Sequence, residues 1–251
     1  MKLGALLGPV PPNAAPTFLA EQARAFAGEG FESLWSVQAI GRGFMIGDPF
    51  VTLAIAASVT QRIEIGTAVI QVPLYHPVDL AHRVFSLMQI CGERLSLGVG
   101  AGSTQKDFDA FGRDHAGRFG AFTRNVADLR RLFADGRLGD VDLSPWPGVR
   151  GGPPMLLGAW GGRGVERAAE SYSGWIASAA YRTPDEVVSA LARFRRAGGR
   201  RAIVSTIQIG AATDLGATKD MLAQFAHAGF DDAVVMLLPG GPSPDAVRRL
   251  I

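Results

Sequence analysis

Arg94-Leu95-Ser96-Leu97-Gly98-Val99-Gly100-Ala101-Gly102-Ser103 decides between two ways of arranging alternating strands and helices. The first half reads as a buried strand, and glycines follow it. An open, doubly wound sheet that binds a dinucleotide would need a third glycine at fixed spacing. It would also need a helix opening on that glycine to receive the pyrophosphate. Here the spacing lacks that third glycine, and no helix opens after Gly102. The chain from Gly100 to Gly117 reads instead as irregular and glycine-rich, longer than an ordinary loop between strand and helix. The open sheet is thereby left as the runner-up.

Outward from this stretch, short apolar runs alternate with longer amphipathic ones. Leu3 to Leu7, Ser33 to Val37, Arg62 to Ile70 and Arg94 to Val99 read as the first strands. Met155 to Gly158, Gly174 to Ala177, Ala202 to Ile209 and Ala233 to Leu238 complete the set. Helices are expected over 16–28, 49–59, 77–91, 118–133, 162–171, 184–197, 214–228 and from Pro244 to the end. Asp48-Pro49 and His76-Pro77 supply helix starts, a cap followed by a proline that fits the first turn. Strands alternating with helices pair in parallel through right-handed crossovers. Eight such units in 251 residues predict a closed (β/α)8 TIM barrel, one α/β domain spanning 1–251. No internal repeat, low-complexity tract or linker interrupts it; a proline- and glycine-rich stretch from Asp135 to Pro154 is the nearest approach to a boundary.

Composition narrows the function. Hydrophobic residues make up 47% and charged residues 19%, which suits a packed domain. The net charge of +2 is dispersed, so the pI near 9.0 does not mark a nucleic-acid partner. Cys91 is the sole cysteine, lies in an apolar helical run, and reads as a small buried hydrophobe. No segment reaches the roughly 18 apolar residues of a membrane span, and the N-terminal apolar run breaks at Gly8-Pro9. The expectation is a cytoplasmic protein with no membrane or nucleic-acid partner.

Barrel sites lie at the carboxyl ends of the strands. Those ends offer Gln38, Thr67, Ala68, Gln71, Gly100, Gly102, Ser103, Trp160 to Arg163, Tyr181 and Gln208. The set is polar yet poor in ionisable groups. It shows neither the clustered ligands of a metal hydrolase nor the carboxylate pair of a glycosidase. No metal is expected, and a site of this kind suits chemistry carried by a bound cofactor. In Gly158-Ala159-Trp160-Gly161-Gly162-Arg163 a strand runs through glycines into a helix, a combination that offers backbone N–H groups and an arginine to a phosphate. The bland alternative is a glycine-rich turn with a surface arginine. Trp160 is placed to line a flat aromatic ring, whereas Trp35 and Trp175, inside strands, read as core. His76 either faces the pocket mouth or caps its helix.

Several blocks together resemble the bacterial luciferase-like family of flavin- or F420-dependent enzymes. They are Gly30-Phe31-Glu32-Ser33-Leu34-Trp35, Asp48-Pro49-Phe50 with Arg62 to Val69, His76-Pro77, Arg94 to Gly102, and Ala168-Ala169 through Gly174-Trp175-Ile176. The resemblance implies reduced FMN or coenzyme F420 acting on a small organic substrate, by oxygenation or hydride transfer. It implies a bulge with a non-proline cis peptide at Thr67-Ala68-Val69 behind the ring, with Gly100, Gly102 and Ser103 bordering it. Trp160, Gly161, Gly162 and Arg163 would hold the phosphate; Gln38, Gln71, His76, Tyr181 and Gln208 would face the substrate. Where F420 members often carry Asp or His after the second strand, this chain has Gln38 and Ala39, so no catalytic acid or base carries over. Relative to the family the insertion before the fifth strand is shortened to Asp135–Pro154. A homodimer and a separate flavin reductase are the partners such enzymes suggest. A non-catalytic flavin- or ligand-binding barrel stands as the alternative, and a phosphate-handling lyase or isomerase as a third reading.

Overall fold

The computed structural model describes residues 1–180 and 182–251. In chain order it contains β1 (Lys2–Leu6), α1 (Phe18–Gly28), β2 (Ser33–Ser36), α2 (Pro49–Val59), β3 (Glu64–Thr67) and β4 (Ile70–Gln71). Then come α3 (Pro77–Cys91), β5 (Leu95–Gly100), α4 (Gln105–Ala110), α5 (Arg118–Asp135), β6 (Arg137–Leu138) and β7 (Val141–Asp142). The remainder is β8 (Met155–Gly158), α6 (Gly164–Ser171), β9 (Gly174–Ser178), α7 (Pro184–Arg196), β10 (Arg201–Ile209), α8 (Leu215–Ala228), β11 (Asp232–Leu237) and α9 (Pro244–Arg248).

The main sheet runs β3-β2-β1-β11-β10-β9-β8-β5-β4, and β3 also pairs with β5. That last pairing closes the barrel, and β3 and β4 are consecutive halves of one staff, which leaves eight positions around it. Every ladder in this sheet is parallel. The expected barrel is the observed one. Within 135–154, β6 and β7 form a small antiparallel hairpin outside it.

Alternation sorts the side chains. Leu3, Leu34, Ile65, Leu97, Trp175 and Val204 pack outward against helices, in one large cluster that includes Val84, Phe85 and Cys91 of α3. The apolar face of α3 is therefore core. Leu6, Trp35, Leu156, Ile176, Ile203 and Val234 form a second cluster inside the barrel. Trp35 is fully buried there and donates its indole N–H to Ser33 Oγ at 2.8 Å. Its ring lies where a side chain at Gly66 would be, so a Cβ at that position would overlap it. Below it, at the amino-terminal end, Arg201 forks onto both oxygens of Glu64 at 2.8 and 2.7 Å and reaches Asp232 at 2.9 Å. Ser96 completes this polar plug through Glu64.

Two strands carry one extra residue each. Ile65 pairs with Leu95 but Ile70 with Val99, so five steps on β3–β4 face four on β5. Val204 pairs with Ala233 but Ile207 with Val235, three steps on β10 against two on β11. Such bulges reverse the facing of everything beyond them. In the second, Thr206 adopts φ 63°, a left-handed conformation that a β-branched residue rarely takes.

Two measurements check this packing. Gly66→Ala should lower stability by about 2–3 kcal/mol in urea unfolding, because the interior has no room to yield beside Trp35. Thr206→Gly should raise it by about 1 kcal/mol, since glycine takes the same conformation without the Cβ clash.

Candidate active site

The first bulge builds the floor of the mouth. Ala68 and Val69, consecutive in sequence, both join the interior cluster, and the Ala68–Val69 peptide is cis, as the resemblance implied. The Val69 isopropyl group rests on two strand ends without side chains: a Cβ at Gly100 or at Gly158 would come within 2.8 Å of its methyls. The resemblance implied that Gly100 borders the ring; its missing side chain makes room for Val69. Thr67, one residue earlier, faces outward and donates to the Gly98 carbonyl at 2.8 Å. Val37, Val69 and Leu238, each partly exposed, make the upper surface apolar.

The second bulge turns Gln208 inward. It pairs with Met236 of the interior cluster and is exposed at the rim, while Ile207 and Ile209 face the helices. Of the residues assigned to substrate, Gln208 stands open at the mouth. Tyr181 lies outside the described residues.

The stretch 100–117 is not irregular throughout. It folds over α4, and α4 brings in Asp107, which has no exposed surface. Asp107 takes Arg42 Nε at 2.7 Å on one oxygen and Arg42 Nη2 at 2.5 Å on the other. The Ile40 N–H at 3.3 Å and Gln71 Nε2 at 2.5 Å complete its partners. Burial alone would raise this carboxyl, but hydrogen bonds from Arg42 and Gln71 and the Arg42 charge hold it below the usual carboxylate range. The reading of the strand ends as poor in ionisable groups overlooked this one. Asp107 ties three loops together at the rim: 37–48 after β2, 68–76 around β4, and 101–117 after β5.

Gln38 extends the same network. It is buried, donates to the Tyr75 hydroxyl at 2.8 Å and accepts from the Gln71 N–H at 2.8 Å. Both ends of its amide are engaged within the protein, so it braces the rim where a substrate contact was expected. Burial, then the Asp48 charge, pushes the Tyr75 hydroxyl up to about 12. His76 is exposed and its Nδ1 accepts from the Val78 N–H at 3.3 Å, the capping alternative.

Next along the rim, after β8, which pairs with β5, Trp160 packs edge-on against Trp175, with ring centroids 5.6 Å apart, and Arg182 sits over it at 5.1 Å. It belongs to the layer between sheet and helices and does not join the interior cluster. Gly161 and Gly162 are exposed, and a Cβ on either would meet no atom within 4 Å. Packing does not demand these glycines; at Gly162 the φ of 54° does. Arg163, 88% exposed, lies 3.8 Å from Glu170 and caps α6 without a side-chain hydrogen bond. Glu166 in the first turn is held by Arg193 at 2.9 Å. Ser103 is exposed beyond Gly102. An apolar floor beside an exposed, glycine-edged helix start with an arginine fits a flat ring carrying a phosphate-bearing tail. Among the described residues no cluster of His, Cys, Asp and Glu could hold a metal, and no helix is long and apolar enough to cross a membrane.

The model of the luciferase-like monooxygenase family matches residues 3–236. The chain belongs to this family. One relative is 4-hydroxyprotoasukamycin monooxygenase of Streptomyces nodosus subsp. asukaensis, 40% identical over 88 residues, or 35% of this chain and 24% of that protein. This chain thus spans about a quarter of that relative's length. An uncharacterised protein of Mycobacterium tuberculosis is 30% identical over 218 residues, 81% of this chain and 74% of its own. Among solved structures, the monooxygenase RslO1 from Streptomyces bottropensis superposes with a TM-score of 0.82 at 20% identity, covering 100% of this chain and 96% of that one. The coenzyme F420-dependent tetrahydromethanopterin reductase from Methanopyrus kandleri gives 0.78 at 17%, covering 99% and 96%. The oxygenating constituent of 3,6-diketocamphane monooxygenase from Pseudomonas putida, in complex with FMN, gives 0.69 at 18%, covering 92% and 80%. At these identities the structural likenesses speak for the fold.

Removing the shared carboxylate tests the bracing of the luciferase-like rim. Asp107→Ala should cost about 3 kcal/mol, because it leaves buried donors of two loops without their acceptor. Asp107 is held below its unfolded value, so its contribution is complete above about pH 4 and fades as the pH falls through the folded value. The stability gap between wild type and Asp107→Asn, followed by urea unfolding, should narrow on acidification below that point.

Proposed function

We propose that this luciferase-like protein is an oxidoreductase that uses reduced FMN or coenzyme F420 to oxygenate, or pass hydride to, a small organic substrate. The observation that carries the proposal is the Ala68–Val69 bulge, which seats an isopropyl group on two bare glycines and gives the mouth an apolar platform. Membership of the luciferase-like monooxygenase family supports this reading.

When bound, such a ring supplies either a hydride or the electrons that activate dioxygen. The protein's part is to bind and orient. Ala68 and Val69 would support the ring, Gly102 and Ser103 border it, and the exposed backbone of Gly161 and Gly162 with Arg163 take the phosphate. Val37, Val69 and Leu238 keep the face apolar, and Gln208 offers a neutral amide to the substrate. Asp107 is matched by Arg42, which leaves the site little net charge and favours a neutral or weakly polar substrate. With FMN, a separate flavin reductase would furnish the reduced form.

Titration of the purified protein with FMN and with F420, each followed by absorption and fluorescence, decides the cofactor. Micromolar binding of one is the expected result; binding of neither would refute the reading. Oxidation of the bound reduced cofactor that speeds up with substrate, with or without oxygen uptake, separates hydride transfer from oxygenation. Binding with no such turnover would leave a ligand-binding barrel. Gly158→Ala should push Val69 off its seat and weaken cofactor binding at least tenfold, with the barrel still folded by circular dichroism.

A further inference from the structure

The hydrogen bond between Gln71 and Asp107 has a direction. Gln71 Nε2 donates to Asp107 Oδ2 at 2.5 Å. An ionised carboxylate only accepts, so the amide cannot turn over, and Gln71 Oε1 must point elsewhere. That oxygen is buried and meets no donor among the described residues. Gln71 is 4% exposed and pairs in the sheet with Gly100, whose missing side chain would face Val69 at the floor of the mouth. Beside the unmatched oxygen is Gly102: a Cβ there would come within 2.5 Å of Oε1 and 2.8 Å of the Phe108 ring. Gly102 has φ 80°, so the turn crossing Gln71 presents backbone alone.

A buried carbonyl oxygen without a donor costs about 1–3 kcal/mol, a cost that an apolar side chain of similar shape would avoid. The other polar ends of this network are matched: the Gln38 oxygen takes the Gln71 N–H, and both Asp107 oxygens take donors. One acceptor is left over, at the strand end where the luciferase-like reading puts the ring.

We propose that Gln71 is a cofactor-binding residue whose Oε1 accepts a hydrogen bond from an N–H or O–H donor of the bound coenzyme, and that Asp107 is the positioning residue that orients it. The inference rests on the flavin-type reading above. The donor is either the ring imide N–H or a hydroxyl of the ring's side chain, and approach to the oxygen runs across the bare backbone of Gly102.

The test compares wild type with Gln71→Met, which keeps the shape and removes the amide, by fluorescence titration with three ligands. These are FMN; lumiflavin, which has the same ring without the hydroxylated chain; and 3-methyl-FMN, whose imide N–H is blocked. Gln71→Met should weaken FMN binding about five- to tenfold. If the imide is the donor, lumiflavin shows the same loss and 3-methyl-FMN shows none. If a hydroxyl is the donor, 3-methyl-FMN shows the loss and lumiflavin shows none. Either pattern supports the proposal. Unchanged affinity for all three, or an equal loss on all three, overturns it. Asp107→Asn presents an amide nitrogen to Gln71 and should turn the glutamine over, giving the same selective pattern as Gln71→Met; wild-type selectivity in that variant would remove Asp107 from the proposal. A wild type that takes F420 in place of FMN is tested with F420, 5-deazalumiflavin and 3-methyl-F420. A wild type that binds neither coenzyme refutes the flavin-type reading, which is a different outcome from loss of selectivity.

Discussion

Side chains on a strand face alternate ways, and one inserted residue reverses every side chain beyond it. The mouth of this barrel depends on that constraint at two places. Without the insertion between Ile65 and Ile70, Ile70 would enter the interior and Val69 would leave the floor. Without the insertion at Ser205–Thr206, Ile207 and Ile209 would crowd the mouth and Gln208 would point at the helices. Apolar platform and polar rim are thus set by strand register, and the residues inserted to achieve it are among the least regular in the backbone.

Around this floor, three loops are fastened by a single buried carboxylate. Asp107 gathers donors from Arg42, Ile40 and Gln71, all distant in sequence. A buried charge of this kind is tolerable when paired and fully hydrogen-bonded. Its value lies in geometry: the bidentate arginine fixes both the angle of the loop after β2 and the height of α4. Gln38 and Tyr75 extend the bracing to the loop ahead of α3. The rim after β2, β4 and β5 thereby becomes a braced frame, while Gly161 and Gly162, after the neighbouring β8, leave the space beside it open.

The architecture was legible because it rests on repeated patterns. Apolar runs with β-branched residues, prolines at helix starts and glycines at strand ends recur in eight strand–helix units, the number that closes a barrel, and the observed helices begin and end within a few residues of those expected. The bulge at Thr67–Val69 came from resemblance, since no local composition announces an inserted residue. Asp107 was hidden for a different reason. Its partner Arg42 lies 65 residues away, and a carboxylate in a glycine-rich segment looks like any solvated loop residue. Trp160 was misplaced because position at a strand end does not reveal which face a large ring will take; Trp175 and Arg182 draw it to the helix layer. The same limit applies to Gln38, whose amide is consumed by neighbours that sequence separation conceals.

The polar plug of Arg201, Glu64, Asp232 and Ser96, with Trp35 stacked above it, seals the amino-terminal end of the barrel. The molecule is therefore a blind cup and not a conduit. Whatever arrives over the rim departs over the same rim, so a spent molecule blocks its successor until it clears. Traffic, including the order of arrivals and departures, is governed by the loops at one doorway.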